Sequence, residues 1–158
     1  EETAAYLNGY FETVSSAIAE RQGTIDKFIG DGVMAFWGAP SDQPDHAEMA
    51  IAAVRSLAER IGQVPSAEMR VRIGVHTGKV VVGDIGSSAR MNYTVIGDAV
   101  NVAARLQEYG KEVDPHAKVI ALASGDTMAK LPEGATATSL GTVRLRGRSE
   151  PLAVFRIA

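Results

Sequence analysis

Tyr93-Thr94-Val95-Ile96-Gly97-Asp98-Ala99-Val100-Asn101-Val102-Ala103-Ala104-Arg105-Leu106 is the stretch on which the reading of this chain turns. Tyr93 to Ile96 is a short β-branched and aromatic run that predicts a strand. Gly97 punctuates it, and a helix is expected from about Asp98 to Tyr109. Asn101 and Arg105 are spaced i,i+4, so they share one helical face. Val100, Ala103 and Ala104 are small or apolar and suit close packing on a sheet. An asparagine can orient a sugar, and an arginine can stabilise charge on a phosphorus centre under attack. The same two residues also read as a surface amide and a solvated cation on an amphipathic helix. For this segment alone, that second reading is the commoner outcome.

Upstream, Tyr6, Leu7, Tyr10, Phe11, Val14 and Ile18 recur at helical spacing over residues 3–21. Thr24 to Ile29 and Val33 to Trp37 read as strands joined by Gly30-Asp31-Gly32, a strong hairpin signal. Asp45 is placed to cap a helix running to about Ile61. Arg70 to His76 alternates, with Val71, Ile73 and Val75 on one face and Arg70, Arg72 and His76 largely on the other. Lys79 to Val82 is a further strand, and Gly83 to Asn92 an excursion that reads either as a surface loop or as an arm reaching a second subunit. Downstream come a strand at Lys118 to Leu122, a short helix at Ser124 to Lys130, and strands at Gly141 to Arg146 and Ala153 to Ile157. Strands and helices alternate, which predicts an α/β or α+β domain with one main sheet.

The composition narrows the function. The 158 residues fit a single domain, 1–158, and neither an internal repeat nor a linker divides it. There is no cysteine, so thiolate metal sites and cysteine nucleophiles are excluded. With 16 basic and 19 acidic residues the formal charge is -3, and no broad surface for nucleic acid or anionic membrane is expected. No apolar run is long enough to span a bilayer. The first residues, Glu1-Glu2-Thr3, carry neither a signal peptide nor a starting Met, and read as the cut edge of a longer protein.

Two more segments carry candidate chemistry. Asp31 sits at the expected hairpin tip between two glycines, where a carboxylate can serve a hard cation such as magnesium. Lys27 lies four residues earlier. The plainer reading is that Asp-Gly is the turn the hairpin requires. Arg144-Leu145-Arg146-Gly147-Arg148 sets three arginines around a glycine, suited to phosphates or, more commonly, to a solvated strand end. His46, His76 and His116 have no metal-ligand spacing. Phe36 and Trp37 read as core or subunit-contact residues.

Taken in order, these segments resemble the class III adenylyl and guanylyl cyclases. Thr24 to Phe36 is similar to that family's metal-site hairpin. Val71 to Gly78 and Val82 to Gly86 are similar to the strands that follow, and Tyr93 to Leu106 to its most diagnostic stretch. The resemblance implies a ferredoxin-like nucleotidyl cyclase catalytic domain that works as a head-to-tail homodimer, with each active site at the interface. It implies two Mg2+ (or Mn2+) ions, Asp31 being one of two metal-binding aspartates. Lys27 would contact the adenine of ATP. From the other subunit, Thr94 would complete base recognition, where many relatives carry Asp. Asn101 would orient the ribose, Arg105 would stabilise the transition state and Arg146 would hold the outer phosphates. The implied reaction is attack of the ribose 3′-oxygen on the α-phosphorus, giving cyclic AMP and pyrophosphate in intracellular signal transduction, with the catalytic domain on the cytoplasmic side. The parent protein is expected to carry regulatory or membrane domains.

Two features set this chain apart from the pattern. No segment before Glu1 matches the strand that bears the family's first metal aspartate, so the domain is expected to be N-terminally incomplete, without its first strand. Thr94 resembles a subgroup linked to bicarbonate stimulation. Lys27 is a donor suited to adenine N1, and a Thr94 hydroxyl can accept from the 6-amino group. Guanine would favour an acid at position 27, so ATP is preferred over GTP. The alternatives are a guanylyl cyclase and a catalytically incomplete nucleotide-binding or dimerisation module.

Overall fold

The computed structural model describes residues 2–65, 69–85 and 92–158, and the backbone alone at 2–7, 84–85 and 92–94. The element order is α1 (Glu2–Glu20), β1 (Thr24–Ile29), β2 (Gly32–Phe36), α2 (His46–Gly62), β3 (Val71–Val75), β4 (Val81–Ile85), β5 (Asn92–Ile96), α3 (Asp98–Val113), β6 (Val119–Ser124), α4 (Gly125–Met128), β7 (Thr138–Val143) and β8 (Leu152–Arg156).

The one main sheet expected from the alternation is a four-stranded sheet of order β3-β6-β8-β7, with two separate hairpins beside it, β1-β2 and β4-β5. β3 and β6 run parallel, Val71 opposite Val119 through Val75 opposite Ala123. The parallel pair needs a crossover, and the chain between β3 and β6 supplies it with α3. β8 pairs antiparallel with β6 and with β7.

The period-2 alternation of the central strand assigns the layers. On β6, Ala121 and Ala123 pack with Ile51 and Val54 of α2. Ile120 and Leu122, one residue out of phase, pack with Val102 and Leu106 of α3. Helices therefore cover both faces. A third cluster joins Val14, Ala17 and Ile18 of α1 to Leu57 and Ile61 of α2 and Val71 of β3. Ile25, Val33 and Ala35 of the first hairpin pack against it, although the hairpin belongs to a separate sheet from β3.

The alternation of β3 is as expected, and it explains how α3 is seated. Val71 and Ile73 face the α1/α2 side. Arg72, Gly74 and His76 alternate onto the other side, beneath α3. A Cβ on Gly74 would stand 2.2 Å from the Ala103 carbonyl oxygen and 2.6 Å from the Gln107 nitrogen. Glycine is the residue that lets the helix backbone lie directly on the strand. Gly110 rests on the Arg72 side chain, its Cβ position being 3.2 Å from Arg72 Cδ. The α3 C-terminal half thus lies over the start of β3, and its first turn lies toward His76.

Several boundaries differ from the sequence reading. α3 continues to Val113, because Leu106, Tyr109, Gly110 and Val113 keep the buried stripe going past Tyr109. β4 runs on through Gly83 to Ile85, paired with β5, so only residues 86–91 of the expected excursion fall outside the described residues. β7 begins at Thr138, ahead of the expected Gly141, and its register shifts between Ser139 and Thr142. Asp45 occupies the N-cap position of α2, but its side chain makes no capping hydrogen bond.

Candidate active site

The expected site residues fall into four groups by element. Lys27 lies on β1 and Asp31 in the turn between β1 and β2, both exposed. The hairpin register, Ile29 opposite Gly32, leaves Gly30 and Asp31 as its two-residue tip, with Gly30 at φ 60°. Asn101 and Arg105 stand one turn apart on α3; Asn101 is exposed and Arg105 half-buried. Arg146 is exposed in the connection between β7 and β8. Thr94 is on β5 opposite Gly83, with its side chain outside the description.

Arg105 is not free. Its Nη1 donates to both oxygens of Glu108, at 3.2 and 3.1 Å. This i,i+3 partner was visible in the helical spacing, yet the sequence reading did not name it.

The arginine-rich segment is more built than a solvated strand end. Leu145 is buried with Val102 and Leu106. The Arg148 amide donates to the Leu145 carbonyl at 3.1 Å, closing a four-residue turn in which Gly147 has φ 77°. That positive φ at the third position is the mark of a type II turn and favours glycine. Arg148 then reaches α3. Its Nη1 and Nη2 donate to the two carboxylate oxygens of Asp98, each at 2.8 Å. The paired hydrogen bonds hold the Asp98 carboxyl below its ordinary range and the Arg148 guanidinium above its own.

Below this clamp sits a polar cluster. His76 Nδ1 shares a hydrogen bond with Ser124 Oγ at 2.7 Å, and Thr77 Oγ1 one with Thr127 Oγ1 at 2.9 Å. Ser124 and Thr127 are fully buried, and Ser124 caps α4 by accepting from the Thr127 amide. Burial pushes the His76 imidazole below the ordinary histidine value; Asp126 pulls upward, Arg148 downward and Asp98 upward. The histidine is thus a structural part of the cluster, consistent with its lack of metal-ligand spacing. Trp37 packs into the core with Nε1 donating to the Arg21 carbonyl at 2.9 Å, as the core reading expected.

Two open depressions occur among the described residues. One is lined by Arg55, Thr136 to Thr138 and Arg156 to Ala158, another by Gly147 to Glu150. Neither contains Lys27, Asp31, Asn101, Arg105 or Arg146. No group of three or more acidic or histidine side chains able to hold a metal occurs among the described residues. Asp31 fits a cation held jointly with phosphate oxygens.

Comparison with known proteins decides the family. The family model for the adenylate and guanylate cyclase catalytic domain matches residues 1–157. This chain belongs to that family. The cyclase domain is 38% identical over 164 residues to Adenylate cyclase 1 of Rhizobium meliloti, covering 99% of this chain and 24% of that protein. It therefore spans about a quarter of that relative's length. Among solved structures, the adenylyl cyclase CyaB from P. aeruginosa is 31% identical with a TM-score of 0.79, covering 99% of this chain and 82% of that one. The guanylyl cyclase Cya2 is also 31% identical, with a TM-score of 0.80, covering 99% and 80%. These likenesses bear out the cyclase fold, and no described helix is long and apolar enough to cross a membrane.

Proposed function

We propose that the cyclase domain converts ATP to 3′,5′-cyclic AMP and pyrophosphate at the interface of a homodimer, on the cytoplasmic side where ATP is present. The observation that carries the choice of base is Lys27, an exposed ammonium on β1 in the hairpin that has Asp31 at its tip. An ammonium donates and cannot accept, which suits the unprotonated N1 of adenine and opposes the protonated N1 of guanine. Thr94 would accept from the 6-amino group.

The dimer is supported by the scatter of site residues and by exposed apolar surface. Ile29 is 62% exposed and Val81 73%, with Phe28, Val80 and Ile96 also exposed. Val81 and Ile96 are register partners at the end of the β4-β5 hairpin, and β1 lies against β5. Large exposed apolar side chains on neighbouring elements mark an interaction surface. A second copy would bring the α3 group of one chain to the hairpin group of the other.

In that arrangement Asn101 would orient the ribose so that its 3′-oxygen lines up with the α-phosphorus. The new bond joins the 3′-oxygen to the α-phosphorus. The bond to the β-phosphate oxygen breaks, pyrophosphate leaves and the 3′-hydroxyl proton passes to solvent. Arg105 would stabilise charge on the phosphorus oxygens as the bonds change, and Arg146 would hold the outer phosphates. Asp31 would hold a divalent ion, Mg2+ or Mn2+, against the triphosphate. That ion supplies charge neutralisation for the phosphates.

Arg105→Ala tests this reading. Cyclic AMP formation is expected to fall at least about 100-fold while ATP binding stays within about threefold, as for loss of a transition-state contact. Unchanged turnover would remove Arg105 from the chemistry. A guanylyl cyclase is the second reading, favoured by Cya2 being as similar in fold and identity as CyaB.

A further inference from the structure

The turn that carries Arg146 is fixed at both ends to α3, the helix that carries Asn101 and Arg105. At one end Leu145 is buried against Val102 and Leu106 of that helix. At the other, Arg148 makes two hydrogen bonds to Asp98 in the first helical turn. Between the two anchors, the Leu145–Arg148 backbone bond and the positive φ of Gly147 set the turn. Arg146 projects from its corner, exposed. The helix is seated independently of the turn, by its contact with Gly74.

We propose that Arg148 is a positioning residue: through its paired hydrogen bonds to Asp98 it fixes the spacing between Arg146 and the Asn101–Arg105 pair. The proposal rests on the cyclase reading above and adds a role for two residues outside the substrate contacts. Its physical basis is the forked geometry of guanidinium and carboxylate. Two parallel bonds fix distance and orientation together, where a single bond fixes distance alone. Asp98 is favourably placed for this, since a carboxylate in the first turn also meets the positive end of the helix dipole. If Arg146 grips the outer phosphates while Arg105 meets the reacting phosphorus, an error in their spacing acts on turnover more than on binding.

A double-mutant cycle tests the proposal, using Asp98→Asn, Arg148→Gln and the two together in the purified protein. Each single change is expected to lower kcat about tenfold with KM for the nucleotide altered less than about threefold, and the double to match the worse single. Arg148→Lys, which keeps the charge and loses the fork, is expected to restore less than half of kcat. A purely structural pair would lower the melting temperature and leave kcat of the folded protein unchanged. That result, or additive losses, overturns the proposal. Amide hydrogen exchange at residues 98–102 and 145–148 is read in parallel and is expected to rise in both singles and no further in the double. If the unaltered protein makes no cyclic nucleotide, the cyclase reading fails, and coupled exchange alone decides whether the two-point mount exists.

Discussion

The guanidinium of Arg105 lies 3.1 Å from a carboxylate oxygen of Glu108, one turn further along α3. The residue proposed to meet the reacting phosphorus is therefore already shared with an acid of its own helix. Both side chains remain partly exposed, at 33% and 41%. A pair of this kind contributes under about 1 kcal/mol to stability.

Glu108→Gln follows from that sharing. Removing the competing charge leaves the guanidinium available to an anionic substrate, so kcat/KM for the nucleotide is expected to rise about two- to fivefold. The melting temperature is expected to move by less than about 3 °C, since the pair contributes little. Steady-state kinetics and a thermal melt check both. A fall in kcat/KM would show that Glu108 supports the arginine instead of competing with it.

Lys27→Glu reverses the hydrogen-bonding character at the base. The ratio of kcat/KM for ATP to that for GTP is expected to drop by at least about 100-fold, because a site built for one partner is left unpaired with the other. The fold is expected to survive, as Lys27 is exposed on β1. Initial rates with each nucleotide give the ratio.

Gly74→Ala tests how α3 is seated. The added methyl would fall 2.2 Å from the Ala103 carbonyl oxygen, a backbone atom that cannot rotate away. A loss of about 1–3 kcal/mol or more is expected, measured by urea unfolding. Turnover is expected to fall with it, since Asn101 and Arg105 ride on the displaced helix.

His76 sets a pH dependence of stability. Burial, the largest cause, holds its folded value below that of the unfolded chain, with Asp126, Arg148 and Asp98 modifying it. An unfolded histidine titrates near about 6.5. Between the lower folded value and that point the unfolded chain binds more protons, so stability rises with pH there. His76's contribution is fully present above about pH 7 and is lost as pH falls below about 6.5 through the folded value. The stability difference between wild type and His76→Gln, followed by urea unfolding from pH 8 to about pH 5, is expected to shrink as pH falls. A constant difference would remove His76 from the titration.

Much of this was legible from local pattern. The helical spacing of Tyr10, Val14 and Ile18, the hairpin around Asp31 and the alternation of β3 each rest on neighbours within a few residues, where periodicity is informative. So does the shared face of Asn101 and Arg105. The partition into three sheets was not legible, because it depends on which strand edges meet across the whole chain. Nor was the clamp: Asp98 and Arg148 are 50 residues apart, and His76 and Ser124 are 48 apart. The pattern Arg144-Leu145-Arg146-Gly147-Arg148 gives no sign that Arg148 turns back to α3; that depends on the burial of Leu145 and the turn around Gly147. Resemblance, and not spacing, supplied the roles of Asn101, Arg105 and Arg146.

Whether this cyclase domain makes cyclic AMP is decided by product analysis with ATP and GTP present together at equal concentration and manganese in excess. Cyclic AMP is expected to form and to exceed cyclic GMP by at least about tenfold, the discrimination that a site with unmatched hydrogen-bonding groups imposes. Cyclic GMP as the main product, or no cyclic nucleotide from folded protein, would contradict this expectation.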